Sequence, residues 1–399
     1  MSAARRVRGP VSGVRASAVE QWASGRQLYL DNLKVILIAG IIGVHAVMGY
    51  AGFMDLWTYT EVREVTLNPV VESLLAVLVS PLGFLMIPLL FLVAGLLTRP
   101  SLERKGPGRF TRDRLVRLGV PFALYVLFVQ PAVIYALQHS VGVATGSYWY
   151  ELLGKERQID TGPLWFVGVL LIFSLAYAGW VAVRRRVPAR PEPRRIATRH
   201  LLLIVAVAAP ASFLIRLAYP YGSEAGFSDL NLWEWPVCIA LFTVGIIGSR
   251  LGWVDTVPER LWRQCRTAAV LTLVAMTAFL AVIGALDVID LAMGGWNWAA
   301  PVFAALEVTL GVFGSVWVLS LGQRHLERPL RRAGPAVCRS AYGAFMVQTP
   351  VLIALAVALR PVPLPAEAKA VLVAAGGILT SFALARFLMT RVPGVSRIL

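Results

Sequence analysis

Along this chain, long apolar runs are broken at intervals by short polar ones. Ten apolar segments stand out, at about 33–50, 70–98, 115–137, 164–183, 200–220, 234–252, 267–286, 299–321, 340–358 and 368–389. Most are close to the roughly 20 residues that an α-helix needs to cross a bilayer core. Segment two is longer and carries Pro81, Gly83, Pro88 and Gly95. That spacing of helix breakers predicts a kink or a partly re-entrant passage. The pattern as a whole predicts an all-α integral membrane protein, a single bundle of about ten transmembrane helices.

Composition agrees and removes an alternative. Only 15% of the 399 residues are charged, against about 25% in soluble domains, so the length does not imply two or three soluble domains. A formal net charge of +16 would point a soluble protein towards nucleic acid, but its distribution excludes that partner here. The cations crowd one set of connections: Arg5, Arg6, Arg8, Arg15 and Arg26, then 99–117, 184–199, 250–266 and 324–339, then Arg391 and Arg397. The alternate connections are acidic or neutral, with Asp55, Glu61, Glu64, Glu151, Glu156, Asp160, Glu224, Asp229, Glu234, Asp287 and Asp290 against only Arg63, Lys155, Arg157, Arg360 and Lys369. By the positive-inside rule both termini are expected in the cytoplasm, with an even number of spans.

The organisation that follows is a cytoplasmic N-terminal segment 1–32, a polytopic domain 33–390 and a cytoplasmic tail 391–399, multi-pass in a cell (cytoplasmic) membrane. No cleavable leader pattern precedes Asp31, so the first span is read as a signal anchor. The Pro- and Arg-rich stretch 184–199 reads as a solvated linker able to touch anionic lipid, between two five-helix halves that share no repeat. Trp57, Tyr59, Tyr148, Trp149, Tyr150, Trp233, Trp235, Trp296 and Trp298 read as an interfacial belt, with a sugar-stacking platform as the alternative. The three cysteines, Cys238, Cys265 and Cys338, are too scattered for a disulfide framework or a metal site.

Ionisable groups inside spans are costly, which makes them candidates for function. They are Lys34, His45, Glu72, Arg216, Glu307 and Arg386. Lys34, Glu72, Arg216 and Arg386 lie near segment ends, where a long side chain can snorkel to the interface. His45 and Glu307 lie deeper. A lone intramembrane His serves interhelical hydrogen bonding as readily as catalysis, and Glu307 reads first as the partner of a buried cation or hydroxyl. Lys34 and His45 are eleven residues apart, so on a helix they share nearly one face with a rise of about 16 Å. On the cytoplasmic side, Arg109, Arg112, Arg114 and Arg117 suit bidentate phosphate binding, although positive-inside topology alone also accounts for them.

Taken in order, these residues resemble a known family. LDNLKVILIAGIIGVHA carries Lys34 and His45 with ten residues between them, as in the membrane acyltransferase-3 superfamily. MIPLLFLVAGLL followed by RFTRDRLVRLGVPF carries that family's RxxR as Arg114 and Arg117. PLWFVGVLLIF, ALFTVGIIGSRLGWV, AYGAFMVQTPVLIALA and the closing RVPGVSRIL complete the series. Within the superfamily the chain looks most like the glucan-biosynthesis succinyltransferase branch. It departs from the usual pattern at Lys34, where an Arg is common, and at Phe345 and Gln348, where many relatives carry Tyr and His. Segment two also lacks the paired phenylalanines common elsewhere.

The resemblance implies transfer of a short acyl group, of acetyl or succinyl type, from cytoplasmic acyl-CoA to a hydroxyl of a glycan or similar extracytoplasmic acceptor. No permanently bound cofactor or metal is implied. His45 would act as general base, since a hydroxyl attacking a thioester needs a base that is neutral near pH 7; a covalent acyl-imidazole relay is the other use of the same ring. Lys34, Arg112, Arg114 and Arg117 would hold the polyanionic donor, with polarising the path to His45 as the catalytic alternative for Lys34. Glu307 would orient His45 or the acceptor. A homo-oligomer within the lipid bilayer remains open. The competing class is a secondary transporter or exporter of a glycan or small metabolite, built on the broken-looking second segment; a scaffold for polysaccharide assembly is the third.

Overall fold

The computed structural model describes residues 27–52, 58–143, 147, 160–184, 196–223, 230–328 and 334–395. The N-terminal arginines, Trp57, Tyr148, Trp149, Tyr150 and most of the 184–199 linker lie outside the described residues. Among those described, regular structure is helical throughout.

Ten helices are long and apolar enough to cross a membrane, and each coincides with one predicted segment. They are α1 (Leu28–Met48), α3 (Ser80–Lys105), α4 (Pro107–Ser140), α5 (Gly162–Val183), α6 (Thr198–Ala218), α7 (Leu232–Arg250), α8 (Glu259–Ala285), α9 (Ala299–His325), α10 (Gly334–Leu359) and α11 (Ala366–Arg391). The eleventh, α2 (Pro69–Leu78), is too short to cross. Segment two is therefore a short helix followed by a span. The Asn68 side chain caps α2 by accepting from Val70 N at 2.9 Å, with Pro69 in the first turn. Pro81 then sits in the first turn of α3, where its missing N–H costs nothing.

Close backbone approaches hold the bundle together, as membrane helices require when there is no water to expel between them. At the α3–α7 crossing, a Cβ on Gly95 would lie 2.2 Å from the Phe242 carbonyl oxygen, and one on Gly245 would lie 2.3 Å from that of Leu92. At the α10–α11 crossing, Gly377 lies against Leu352 and Ile42, which brings α1 to the same seam. Helix α3 then works as a partition. Its Met86 meets Gly40 of α1 and its Leu85 meets Gly314 of α9. Its Phe84 packs edge-on against Tyr221 and Phe303, ring centroids 6.2 and 5.5 Å away.

The ends are tied separately. At the basic end, Tyr29 OH donates to Val254 O at 2.6 Å and Asn32 Nδ2 to Leu326 O at 2.7 Å, while Arg324 pairs with Glu259. At the acidic end, residues 58–68 form a strap beyond α1. Glu64 accepts from Tyr59 OH at 2.6 Å and from the buried Lys369 ammonium at 2.7 Å. Arg360 donates to Val62 O, and Arg63 donates to Ala51 O at 2.7 Å. Burial pushes the Glu64 carboxyl up, but the bonds from Lys369 and Tyr59 outweigh it and leave the group below the usual carboxylate range.

Candidate active site

His45 lies in the last turn of α1. Its Nδ1 is 3.0 Å from Oε1 of Gln348 on α10. Gln348 is wholly buried, as is its neighbour Thr349. An amide inside an apolar span needs a partner, and the imidazole supplies one. With the Gln348 carbonyl as acceptor, Nδ1 carries the proton and Nε2 the lone pair.

Thr349 belongs to a second polar chain. Tyr125 OH lies 2.8 Å from Thr349 Oγ1 and 2.7 Å from Gln130 Oε1, and Gln130 Nε2 donates to Asp160 at 2.7 Å. The carboxylate can only accept, so the Gln130 amide nitrogen must face it and its carbonyl must face Tyr125. Tyr125 therefore donates to Gln130, and Thr349 donates to Tyr125. Two backbone features make the chain possible. Residues 125–129 form a π turn, which stacks residue i over i+5 and so brings Tyr125 above Gln130. Gly162, in left-handed backbone at φ 47°, leaves room where a Cβ would come within 3.1 Å of the Gln130 carbonyl oxygen.

The predicted cationic residues separate. Lys34, at the opposite end of α1, pairs with Asp31 at 3.5 Å and remains a third exposed. Arg112 and Arg117 line one shallow depression of about 260 Å³ together with Arg109, Asp113 and Val116. Asp113 is bonded to Lys105 at 2.8 Å and to Arg117 at 3.2 Å, and it anchors that face. Arg114 is absent from the lining, with its guanidinium over the Phe110 ring at 4.9 Å. Tyr342 of α10 donates to the Arg117 carbonyl at 3.1 Å, so α10 meets the arginine run at one level and His45 at another. Six residues separate Tyr342 from Gln348, a rise of about 9 Å.

Glu307 pairs with Arg216, and both side chains are at most 2% exposed. This is the buried-cation partnership its position suggested; its hydrogen bond goes to Arg216 rather than to His45. Arg216 itself does not snorkel as a residue near a segment end was expected to. Its guanidinium is turned inward over Tyr221 and Phe303, at 5.1 and 5.4 Å, with Glu234 buried nearby. The carboxylates hold it there more strongly than the interface would. Phe84 of α3 packs against the Tyr221 and Phe303 rings of this cluster.

Gln348, Thr349, Tyr125, Gln130 and Asp160 did not figure among the sequence candidates. A search for neutral amides inside apolar segments would have found two of them. Among the described residues, no three His, Cys, Asp or Glu side chains converge on a metal-sized site.

No curated protein and no solved structure matches the chain. The comparison with protein families does find one: residues 27–389 match the acyltransferase domain of the acyltransferase-3 family. That match begins before α1 and runs into α11, taking in His45, the arginine run and Gln348 together. The chain therefore belongs to the acyltransferase-3 family, as a multi-pass membrane acyltransferase.

Proposed function

We propose that the protein transfers a short acyl group from cytoplasmic acyl-CoA to a hydroxyl of a glycan or similar acceptor, with His45 as general base. The observation that carries this reading is the 3.0 Å bond between His45 Nδ1 and Gln348 Oε1 within the bundle. A base is useful only in the tautomer and orientation that face the substrate, and a buried carbonyl on Nδ1 selects both. In this reading Gln348 orients His45, while Glu307 pairs with Arg216.

The steps balance without a further reactant. His45 Nε2 takes the hydroxyl proton as the oxygen attacks the thioester carbon and the carbonyl electron pair moves onto oxygen. Collapse re-forms the carbonyl and breaks the C–S bond. The imidazolium then protonates the departing thiolate, giving ester and free thiol. The donor enters from the basic end, where loop charge favours the cytoplasm, and its phosphates meet Arg109, Arg112 and Arg117, with Lys34 and Arg114 adding charge around them.

Mass spectrometry of surface glycans tests this directly. Cells carrying the protein should show an acyl mass increment that is missing without it, and His45→Ala should abolish it while insertion and abundance stay normal. An undiminished increment in that variant would remove His45 from the chemistry.

A further inference from the structure

Resting on that reading of His45, we propose that Gln348 is a second catalytic residue: its Nε2 donates to the acyl carbonyl oxygen and holds the oxyanion as it forms. Three observations converge on it. Gln348 is wholly buried, yet among the described residues its Nε2 meets no acceptor. A buried N–H without a partner is costly to keep, so the acceptor is expected to come with the substrate. The amide is also placed with Oε1 towards His45 Nδ1, and in the tautomer where Oε1 takes that proton Nε2 points elsewhere. Finally, the backbone beside it is anchored. Thr349 is tied through Tyr125 and Gln130 to Asp160, and Phe345, one turn earlier, packs edge-on against Phe166 at 6.1 Å.

The geometry suits one tetrahedral carbon. The Gln348 amide nitrogen and the His45 Nε2 are separated by an amide, one hydrogen bond and the width of an imidazole. A carbon carrying two oxygens, with a hydrogen bond at each end, bridges such a span. One oxygen is the attacking hydroxyl, whose proton goes to His45; the other is the former carbonyl oxygen, which takes the bond from Gln348. A pre-aimed donor in a dry, apolar setting stabilises charge in the transition state more than it does a neutral carbonyl, and that difference is catalysis.

Substitution separates this role from mere orientation of His45. Gln348→Glu keeps an oxygen for the Nδ1 proton and removes the N–H donor; Gln348→Leu removes both; Gln348→His restores a donor. Rates would be measured as the initial appearance of the glycan mass increment in membrane vesicles supplied with acetyl-CoA or succinyl-CoA, across a pH series. Losing one oxyanion donor typically lowers the rate about 10²–10³-fold. The Glu variant should therefore fall by that factor at every pH and the Leu variant by at least as much, with the half-saturating acyl-CoA concentration unchanged, and the His variant should recover part of the loss. A Glu variant within tenfold of wild type, or one restored by raising the pH, would overturn the proposal. If His45→Ala is inactive while Gln348→Glu is active, the base assignment stands and this one falls; if His45→Ala is active, both fall. Should the Glu variant fail to fold, a His variant no faster than the Leu variant overturns the proposal equally.

Discussion

Removing the guanidinium of Arg216 should destabilise the protein far more than neutralising Glu307, although the two form one pair. Arg216 is fully buried and Glu307 only 2% exposed. Glu234 is buried within electrostatic reach of both, so one cation faces two acidic side chains. Arg216→Met leaves both acids buried without it, and stranding a buried charge costs about 3–5 kcal/mol. Glu307→Gln leaves an amide oxygen to accept from the guanidinium, with Glu234 still buried beside it. Its cost is the gap between a charge-assisted and a neutral hydrogen bond, about 1 kcal/mol. The difference, roughly 3 kcal/mol, is more than a hundredfold in the folded-to-unfolded ratio. Denaturant titration in detergent micelles, followed by tryptophan fluorescence, would resolve it. Equal destabilisation by the two substitutions would refute the idea that one guanidinium compensates two acids.

Two further outcomes follow from the packing and the strap. Gly95→Ala would set a methyl group 2.2 Å from the Phe242 carbonyl oxygen, where backbone rather than a flexible side chain must move. A loss of about 1–3 kcal/mol is expected, and an unchanged unfolding midpoint would show that the α3–α7 contact is looser than described. Glu64 has its folded pKa below the ordinary value, so its contribution is present above about pH 4.3, the unfolded value, and fades as pH falls through the folded one. Glu64→Gln should therefore lower thermal stability at pH 7 and draw closer to wild type as the pH falls below the unfolded value; a constant offset across that range would contradict the assignment.

Span number and placement were legible because lipid leaves few solutions: a chain that must satisfy its backbone internally announces each helix by length and apolarity. The split of segment two was half legible. Its prolines marked a break, but only the Asn68 cap and the break at Val79 show a separate short helix. The site was legible at His45 and blurred elsewhere, for a specific reason. A census of charge finds groups that are expensive alone, whereas Gln348, Thr349, Tyr125 and Gln130 are neutral and become informative only when a partner 224 residues away, as between Tyr125 and Thr349, is known. Arg216 was misread for the complementary reason. Nearness to a segment end permits snorkelling, but two acids from other helices, invisible as neighbours in the sequence, turn the side chain inward. The π turn at 125–129 has no local signature that periodicity could reveal.

Helix α10 touches the arginine run through Tyr342, the Tyr125 chain through Thr349 and His45 through Gln348. Tyr342 and Thr349 are seven residues apart and share a face; Gln348 lies about 100° around the axis. For a helix about 10 Å across, a turn of roughly 20° displaces surface atoms by about 2 Å, enough to part the His45–Gln348 bond. Such a turn would move Tyr342 against the Arg117 carbonyl at the same moment. One helix thus carries all three contacts, and a substitution at the arginine run that turned it would be read at the imidazole without touching it.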